Sequence, residues 1–195
     1  MKSLILASNN RHKISEFNNI FENKLKLLTL NDIGFEKDII ENGDSFIGNA
    51  LIKCKTIYDY CKKPVLSDDS GLCVDALGGA PGILSARYGN KILTDKERYT
   101  LLLKNLEDKS DYSAQFVCAL VLYINPNRIY VVQEELKGSI ISTPRGENGF
   151  GYDPIFYLKD IDKTLAELSN EEKNKISHRA RASKVMKDII FSIEF

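Results

Sequence analysis

Three acidic residues, Glu41, Asp68 and Asp69, are the first candidates for chemistry in this sequence. Asp68 and Asp69 follow the apolar run Val65-Leu66, and the C-terminal end of a strand is where α/β proteins place catalytic groups. Two adjacent carboxylates with a third are hard oxygen ligands of the kind Mg²⁺ takes while keeping waters. Asp-Asp-Ser-Gly is also good turn chemistry that needs no metal, and both readings stand at this point. Neighbours on an extended strand face opposite ways, so the two aspartates need not share one role.

Three further constellations could act on an anion or a flat ring. Ser8-Asn9-Asn10-Arg11-His12-Lys13 joins an apolar run to a helix start. Free backbone N–H groups and the positive helix end favour an anion there, and Lys13 adds a point charge. The plain alternative is a polar loop with a solvated lysine, and GxxxxGK[ST] is absent. Asn49 and Lys53 are spaced i,i+4 and share a helix face, where Lys53 reads equally as a lysine snorkelling at the rim of the core. Last come Gly146 to Asp153 and the basic segment from Lys173 to Lys187. Phe150, flanked by glycines, can lie open to a base, and base–aromatic stacking is worth about 1–3 kcal/mol. A basic run on a terminal helix is also simply a solvated face. On one unbroken helix Lys173 and His178 stand roughly 140° apart, so meeting one ligand requires a break or a ligand between them.

The elements that must position these groups can be read from caps and periodicity. Leu4 to Ala7 reads as a buried strand, and Asn9 or Asn10 caps a helix with Ile14, Phe17 and Phe21 on one face. A second helix is expected from about Ser45 to Tyr60, with Phe46, Ala50, Cys54, Ile57 and Cys61 on its apolar side. Pro64 to Leu66 reads as a strand. Gly78 to Gly82 is too rich in glycine for regular structure. Thr94 and Glu97 form a capping box before Tyr99, Leu102, Leu103 and Leu106. Strands from about Ala114 to Ile124 and Ile129 to Glu134 meet at the turn Asn125 to Arg128. Arg145 to Asp153 is a glycine-rich loop, Pro154 to Leu158 a strand, and Ser169 to Glu172 a second capping box opening a C-terminal helix. Alternating helices and strands with a central hairpin predict an α/β fold with a mixed sheet.

Composition bounds the rest. The 195 residues suit one domain, 1–195, with 43% hydrophobic and 28% charged residues. Twenty-seven basic residues balance twenty-seven acidic ones, which argues against bulk nucleic-acid binding. The longest apolar run, Phe116 to Ile124, is far below the ~20 residues of a membrane helix, and no export signal is legible at the N-terminus. Cys54, Cys61, Cys73 and Cys118 form neither a CxxC pair nor a secreted framework, so they are expected as reduced thiols of a cytoplasmic protein. With two histidines and no cysteine cluster, no structural zinc site is expected.

Taken in order, these segments resemble the inosine/xanthosine triphosphate pyrophosphatase family. The resemblance rests on Ser8 to Lys13, Glu41-Asn42-Gly43 with Phe46, Asn49 to Lys53, Ser67 to Leu72 and Gly78 to Gly82. It continues through Ser85 to Tyr88, Gly149 to Pro154 and Ser177-His178-Arg179. It spans nearly the whole chain. Asn42 stands where threonine is more usual and Ser67 where alanine often precedes the aspartates; neither carries assigned chemistry. The resemblance implies a two-lobed α/β protein with a long mixed sheet and its site in the groove between lobes. It further implies a Mg²⁺-dependent homodimer that cleaves ITP, dITP or XTP to the monophosphate and pyrophosphate.

By the same resemblance Glu41 and Asp69 hold Mg²⁺, Asp69 is the residue proposed to activate water, and Asp68 and Lys13 complete the catalytic set. Ser8, Asn9, Asn10, Arg11, His12 and Lys13, with Lys53 and Ser70, fall on the triphosphate side, and Asn49, Gly151 and Tyr152 are further substrate-binding positions. Phe150, Asp153, Lys173, His178 and Arg179 fall on the base side. A metal ligand and a general base are hard to combine in one carboxylate, so the division between Asp68 and Asp69 stays open. A buried donor facing the 6-oxo group would be left unpaired by ATP, and such sites discriminate by about 10⁴-fold. GTP shares the 6-oxo group and must be excluded at its 2-amino position. The rivals are a related pyrophosphatase of modified pyrimidine nucleotides, whose loop is of the Ser-x-Ser-x-x-Arg type, and a non-catalytic nucleotide or single-strand binder. Neither binding version uses the acidic trio.

Overall fold

The computed structural model describes residues 2–21 and 24–195. Its described strands are β1 (Ser3–Leu6), β2 (Lys26–Leu28), β3 (Val65–Val74), β4 (Ser113–Asn125), β5 (Arg128–Ile140), β6 (Phe156–Leu158) and β7 (Lys163–Thr164). The helices are α1 (Arg11–Phe21), α2 (Phe46–Cys61), α3 (Asp95–Lys104), α4 (Asn170–Ile176) and α5 (His178–Ser192). The strands form one sheet in the order β2-β1-β3-β4-β5-β6-β7. It is mixed: β1 runs parallel to β2 and β3, with Ile5 opposite Leu28 and Val65, whereas β6 is antiparallel to β5 and β7. The expected α/β class with a mixed sheet is what the chain adopts.

The described chain divides into two compact units. The first comprises residues up to Asp69 together with Cys118–Glu134 and Arg179–Phe195. Its sheet is buried on both faces, which is why β1 reads as a continuous apolar run. Leu4, Leu6 and Leu66 point to the face covered by Phe17 and Phe21 of α1 and by Met186 and Ile190 of α5. Ile5, Ala7 and Val65 point to the other, covered by Ala50, Cys54 and Ile57 of α2. The second unit, Ser70–Val117 with Glu135–His178, has its own core of Leu72, Val74, Leu102, Phe116, Leu136, Ile140 and Phe156.

Helix starts follow the expected caps. Asn10 Oδ1 accepts from the N–H groups of His12 and Lys13 at 3.0 and 3.1 Å. Ser45 caps α2 by accepting from Gly48 N–H, and the boxes at Thr94–Glu97 and Ser169–Glu172 are both complete. Two readings change. Ser67 to Gly71 form no turn but continue β3 as extended chain. β5 runs six residues past Glu134, and the short β2 and β7 carry no pattern that marks them in advance.

The C-terminal helix does break. Ser177 is extended, with φ −62° and ψ 157°, and separates α4 from α5. Lys173 and His178 therefore belong to different helices, which removes the angular conflict of a single one. No described helix is long and apolar enough to cross a membrane.

Candidate functional site

β3 places Asp68 and Asp69 by simple alternation. Asp68 shares the parity of Leu66 and turns to the α1/α5 face; Asp69 shares that of Val65 and turns to α2. Two different charge environments result.

On the α1/α5 face Asp68 is fully enclosed. Its Oδ1 is ion-paired with Lys13, and its Oδ2 accepts from Arg179 Nε and Nη2 at 3.3 and 3.2 Å and faces Cys118 Sγ at 3.6 Å. Burial pushes the carboxyl up, but Lys13 and Arg179, with Lys53, outweigh it and hold Asp68 well below the usual carboxylate range. Arg179 is itself fully buried, and its Nη1 donates to Glu16. Burial disfavours its charge, yet Asp68 and Glu16 keep the guanidinium charged beyond its ordinary range.

On the α2 face the balance reverses. Lys53 Nζ lies 2.8 Å from Glu41 Oε2 and 3.4 Å from Asp69 Oδ1. Asn49, fully buried one turn earlier, donates from Nδ2 to Asp69 Oδ2 at 3.1 Å and accepts the Gly43 N–H at 2.9 Å. A Cβ on Gly43 would stand 2.9 Å from Asn49 Oδ1, so only glycine allows that approach. Burial raises the Asp69 carboxyl; Lys53 and Lys13 pull it down, Glu41 and Asp68 push it up, and the net direction is upward. Burial alone would lower the Lys53 ammonium, but Asp69, Glu41 and Asp68 raise it.

The two carboxylates of Glu41 and Asp69 thus face one ammonium, a local excess of negative charge. Among the described residues no group of three or more His, Cys, Asp or Glu is assembled for a metal. A pair of carboxylates is nonetheless the donor set that suits Mg²⁺, which fills its octahedron with waters and substrate phosphates.

The loop before α1 presents Ser8, Asn9 and Asn10, and the first turn presents Arg11 and His12 on its exposed side. Asn10 Oδ1 already occupies two of the helix-start N–H groups. Ser70 follows Asp69 in β3, half-buried, at the start of the second unit.

The base-side residues of the second unit are organised by Asp153. Its Oδ2 accepts the Phe150 N–H at 2.9 Å and Lys173 Nζ at 2.6 Å, and the ammonium stands 4.7 Å from the centre of the Phe150 ring. Phe150 is half-buried, whereas Asp153 and Lys173 are buried. Gly149, at φ +77°, is required: a Cβ there would meet Asp153 Oδ2 at 2.1 Å. Tyr152 is buried, its hydroxyl donating to the Ser85 carbonyl at 2.9 Å, which makes it an anchor of the loop. His178 is stacked on Phe116, ring centres 4.8 Å apart and planes within 9°.

Of the expected residues, the structure brings Lys13, Asp68 and Arg179 into one cluster, Glu41, Asn49, Lys53 and Asp69 into a second, and Phe150, Asp153 and Lys173 into a third. Arg179, expected on the base side, has its guanidinium on Asp68 and Glu16. Glu16 was not singled out from the sequence. Its signal was its position three residues after Lys13, which places both on one side of α1.

A mixed sheet carrying two oppositely biased aspartates, one of them paired with Lys13 at the start of α1, defines an α/β protein with a charged site on β3. Residues 4–189 match the model of the Ham1 family, and the chain belongs to that family. It is 46% identical over 193 residues to a dITP/XTP pyrophosphatase of Bacillus licheniformis, covering 97% of this chain and 98% of that one. It is 42% identical to the dITP/XTP pyrophosphatase of Bacillus subtilis, with 97% and 98% covered. A solved Ham1 protein from Coxiella burnetii is 39% identical and superposes with a TM-score of 0.92 over 99% of this chain and all of that one. One from Staphylococcus aureus is 38% identical, with a TM-score of 0.89 over 98% and 99%.

Proposed function

We propose that this chain is a nucleoside triphosphate pyrophosphatase that hydrolyses deaminated purine nucleotides, XTP, ITP and dITP, to the nucleoside monophosphate and pyrophosphate. The observation that carries the reading is the contrast between the two aspartates. Asp68 is pinned by Lys13 and Arg179 as a permanent anion, a poor acceptor of protons. Asp69 has its proton affinity raised, by burial first and by Glu41 and Asp68 against the pull of Lys53 and Lys13, as a general base requires.

In the proposed reaction water attacks the α-phosphorus while Asp69 takes its proton, the new P–O bond forms, and the bond from the α-phosphorus to the bridging oxygen breaks. Pyrophosphate leaves with that electron pair. Glu41 and one carboxylate oxygen of Asp69 would hold Mg²⁺, leaving the second Asp69 oxygen to accept the proton; when bound the ion neutralises charge on the triphosphate and the leaving group. Asn49 and Lys53 orient Asp69. The loop Ser8 to His12, Lys13, Lys53 and Ser70 meet the phosphates, with Lys13 held at the head of α1 by Asp68.

Phe150 offers its ring to the base, and Gly151, Tyr152 and Asp153 shape the loop that carries it. Lys173 and His178 supply donors to the 6-oxo edge, where the amine of adenine would face them donor to donor. Arg179, itself paired with Glu16, is given the duty of holding Asp68 ionised and not of reading the base. The resemblance further supports a cytoplasmic homodimer with one catalytic domain spanning 1–195.

The position of attack is read by isotope. In H₂¹⁸O with XTP, the label enters xanthosine monophosphate and the pyrophosphate stays unlabelled. Label in pyrophosphate, or release of orthophosphate in its place, contradicts the reading.

A further inference from the structure

Phe150 sits between Gly149 at φ +77° and Gly151 at φ +64°, two residues of unusual backbone freedom. A ring on such a segment keeps one orientation only if the backbone beside it is tied. Two N–H groups of the segment are tied, each to a carboxylate. Phe150 N–H donates to Asp153, which lies within the same loop. Gly151 N–H donates to Asp95 Oδ2 at 2.7 Å, across 56 residues of sequence.

Asp95 is the first residue of α3, and the helix start that holds it is firm. Thr94 and Glu97 close a reciprocal capping box around it. One turn on, the buried Arg98 donates to the carbonyls of Tyr88, Asn90 and Leu93, fixing the segment that leads into the helix. Thr94 provides the cap, so the Asp95 carboxylate is not needed for that purpose. It makes a charge-assisted bond to the backbone N–H that follows the half-buried ring.

We propose that Asp95 is a positioning residue for Phe150: by holding Gly151 N–H it fixes the loop that presents the ring to the base. The inference rests on the reading of Phe150 as the base platform. Asp95 itself touches no substrate; it sets how much of the ring's stacking is available at binding.

The test uses the full chain with XTP and Mg²⁺. Asp95→Ala raises KM about tenfold with kcat within about threefold, the signature of lost uniform binding. Asp95→Asn, whose amide oxygen still accepts, restores most of it. In a Phe150→Ala background, Asp95→Ala adds less than about twofold, because the ring it served is gone. A wild-type KM in Asp95→Ala, Asp95→Asn behaving as Ala does, or an undiminished effect without the ring overturns the inference. Phe150→Ala with an unchanged KM overturns the base-platform reading itself, and this inference with it.

A second readout needs no turnover. The chain has no tryptophan, so Phe150→Trp is a unique reporter. Adding Asp95→Ala lowers its fluorescence anisotropy and raises its quenching by acrylamide, and adding Asp95→Asn does neither. Unchanged anisotropy in the Ala variant counts against the tether.

Discussion

Asp68 and Asp69 differ by one position and by the direction in which their carboxyls are pushed, and that difference separates two variants. Asp69→Asn keeps the hydrogen-bonding shape of the side chain but removes the proton acceptor. It should lower kcat for pyrophosphate release by about 10²–10⁴-fold, with urea unfolding close to wild type. Near-normal kcat would take Asp69 out of the reaction. Asp68→Asn removes the charge that Lys13 and the buried Arg179 share, leaving Arg179 its pairing with Glu16. Breaking a buried pair in this way costs about 3–5 kcal/mol, so its urea midpoint should fall sharply, and an unchanged midpoint would contradict the structural role given to Asp68. The pairing of Arg179 with Glu16 joins residues 163 apart. No spacing rule reaches that far, which is why the sequence marks Arg179 as a candidate for the base side and shows neither Asp68 nor Glu16 as its partner. Asn49 was legible as a neighbour of Lys53, but its role in tying Gly43 to Asp69 depends on β3 lying alongside α2.

The elements divide according to whether local chemistry or pairing defines them. The starts of α1, α2, α3 and α4 were legible because a capping side chain states its purpose within four residues. β1 was legible as an apolar run because both its faces are covered. Ser67 to Gly71 read equally well as a turn, and pairing within the sheet decides against that preference. β2 has three residues and exists because β1 lies beside it. The far half of β5 buries Leu136 and Ile140 with Lys137, Gly138 and Ser139 between them, a pattern without clean alternation. Capping also yields a prediction. Ser45 opens α2, the helix that carries Asn49 and Lys53, and Ser45→Ala should cost about 1 kcal/mol in chemical denaturation. A variant as stable as the wild type would mean that tertiary packing alone sets the helix start.

Across the whole molecule, burial makes a prediction for the four thiols. Cys54 and Cys118 are buried, and Cys61 and Cys73 are partly exposed, all four unbridged. Burial pushes the Cys54 thiol up to about 12 and raises that of Cys118 well above its usual value, so neither supplies reactive thiolate at neutral pH. An aromatic disulfide reagent should modify Cys61 and Cys73 in the folded protein and reach the other two only in denaturant. Four rapidly reacting thiols would contradict the packing of both faces of the first unit. The central claim is that this member of the Ham1 family releases pyrophosphate from deaminated purine nucleotides with the help of a metal held by Glu41 and Asp69. The most direct measurement is pyrophosphate release from XTP, ITP, dITP, GTP and ATP side by side, each with Mg²⁺ and with EDTA. Fast release from XTP, ITP and dITP, at least about 10²-fold slower release from ATP and GTP, and loss with EDTA are the predicted result. Equal rates on all five, or release that survives EDTA, would contradict it.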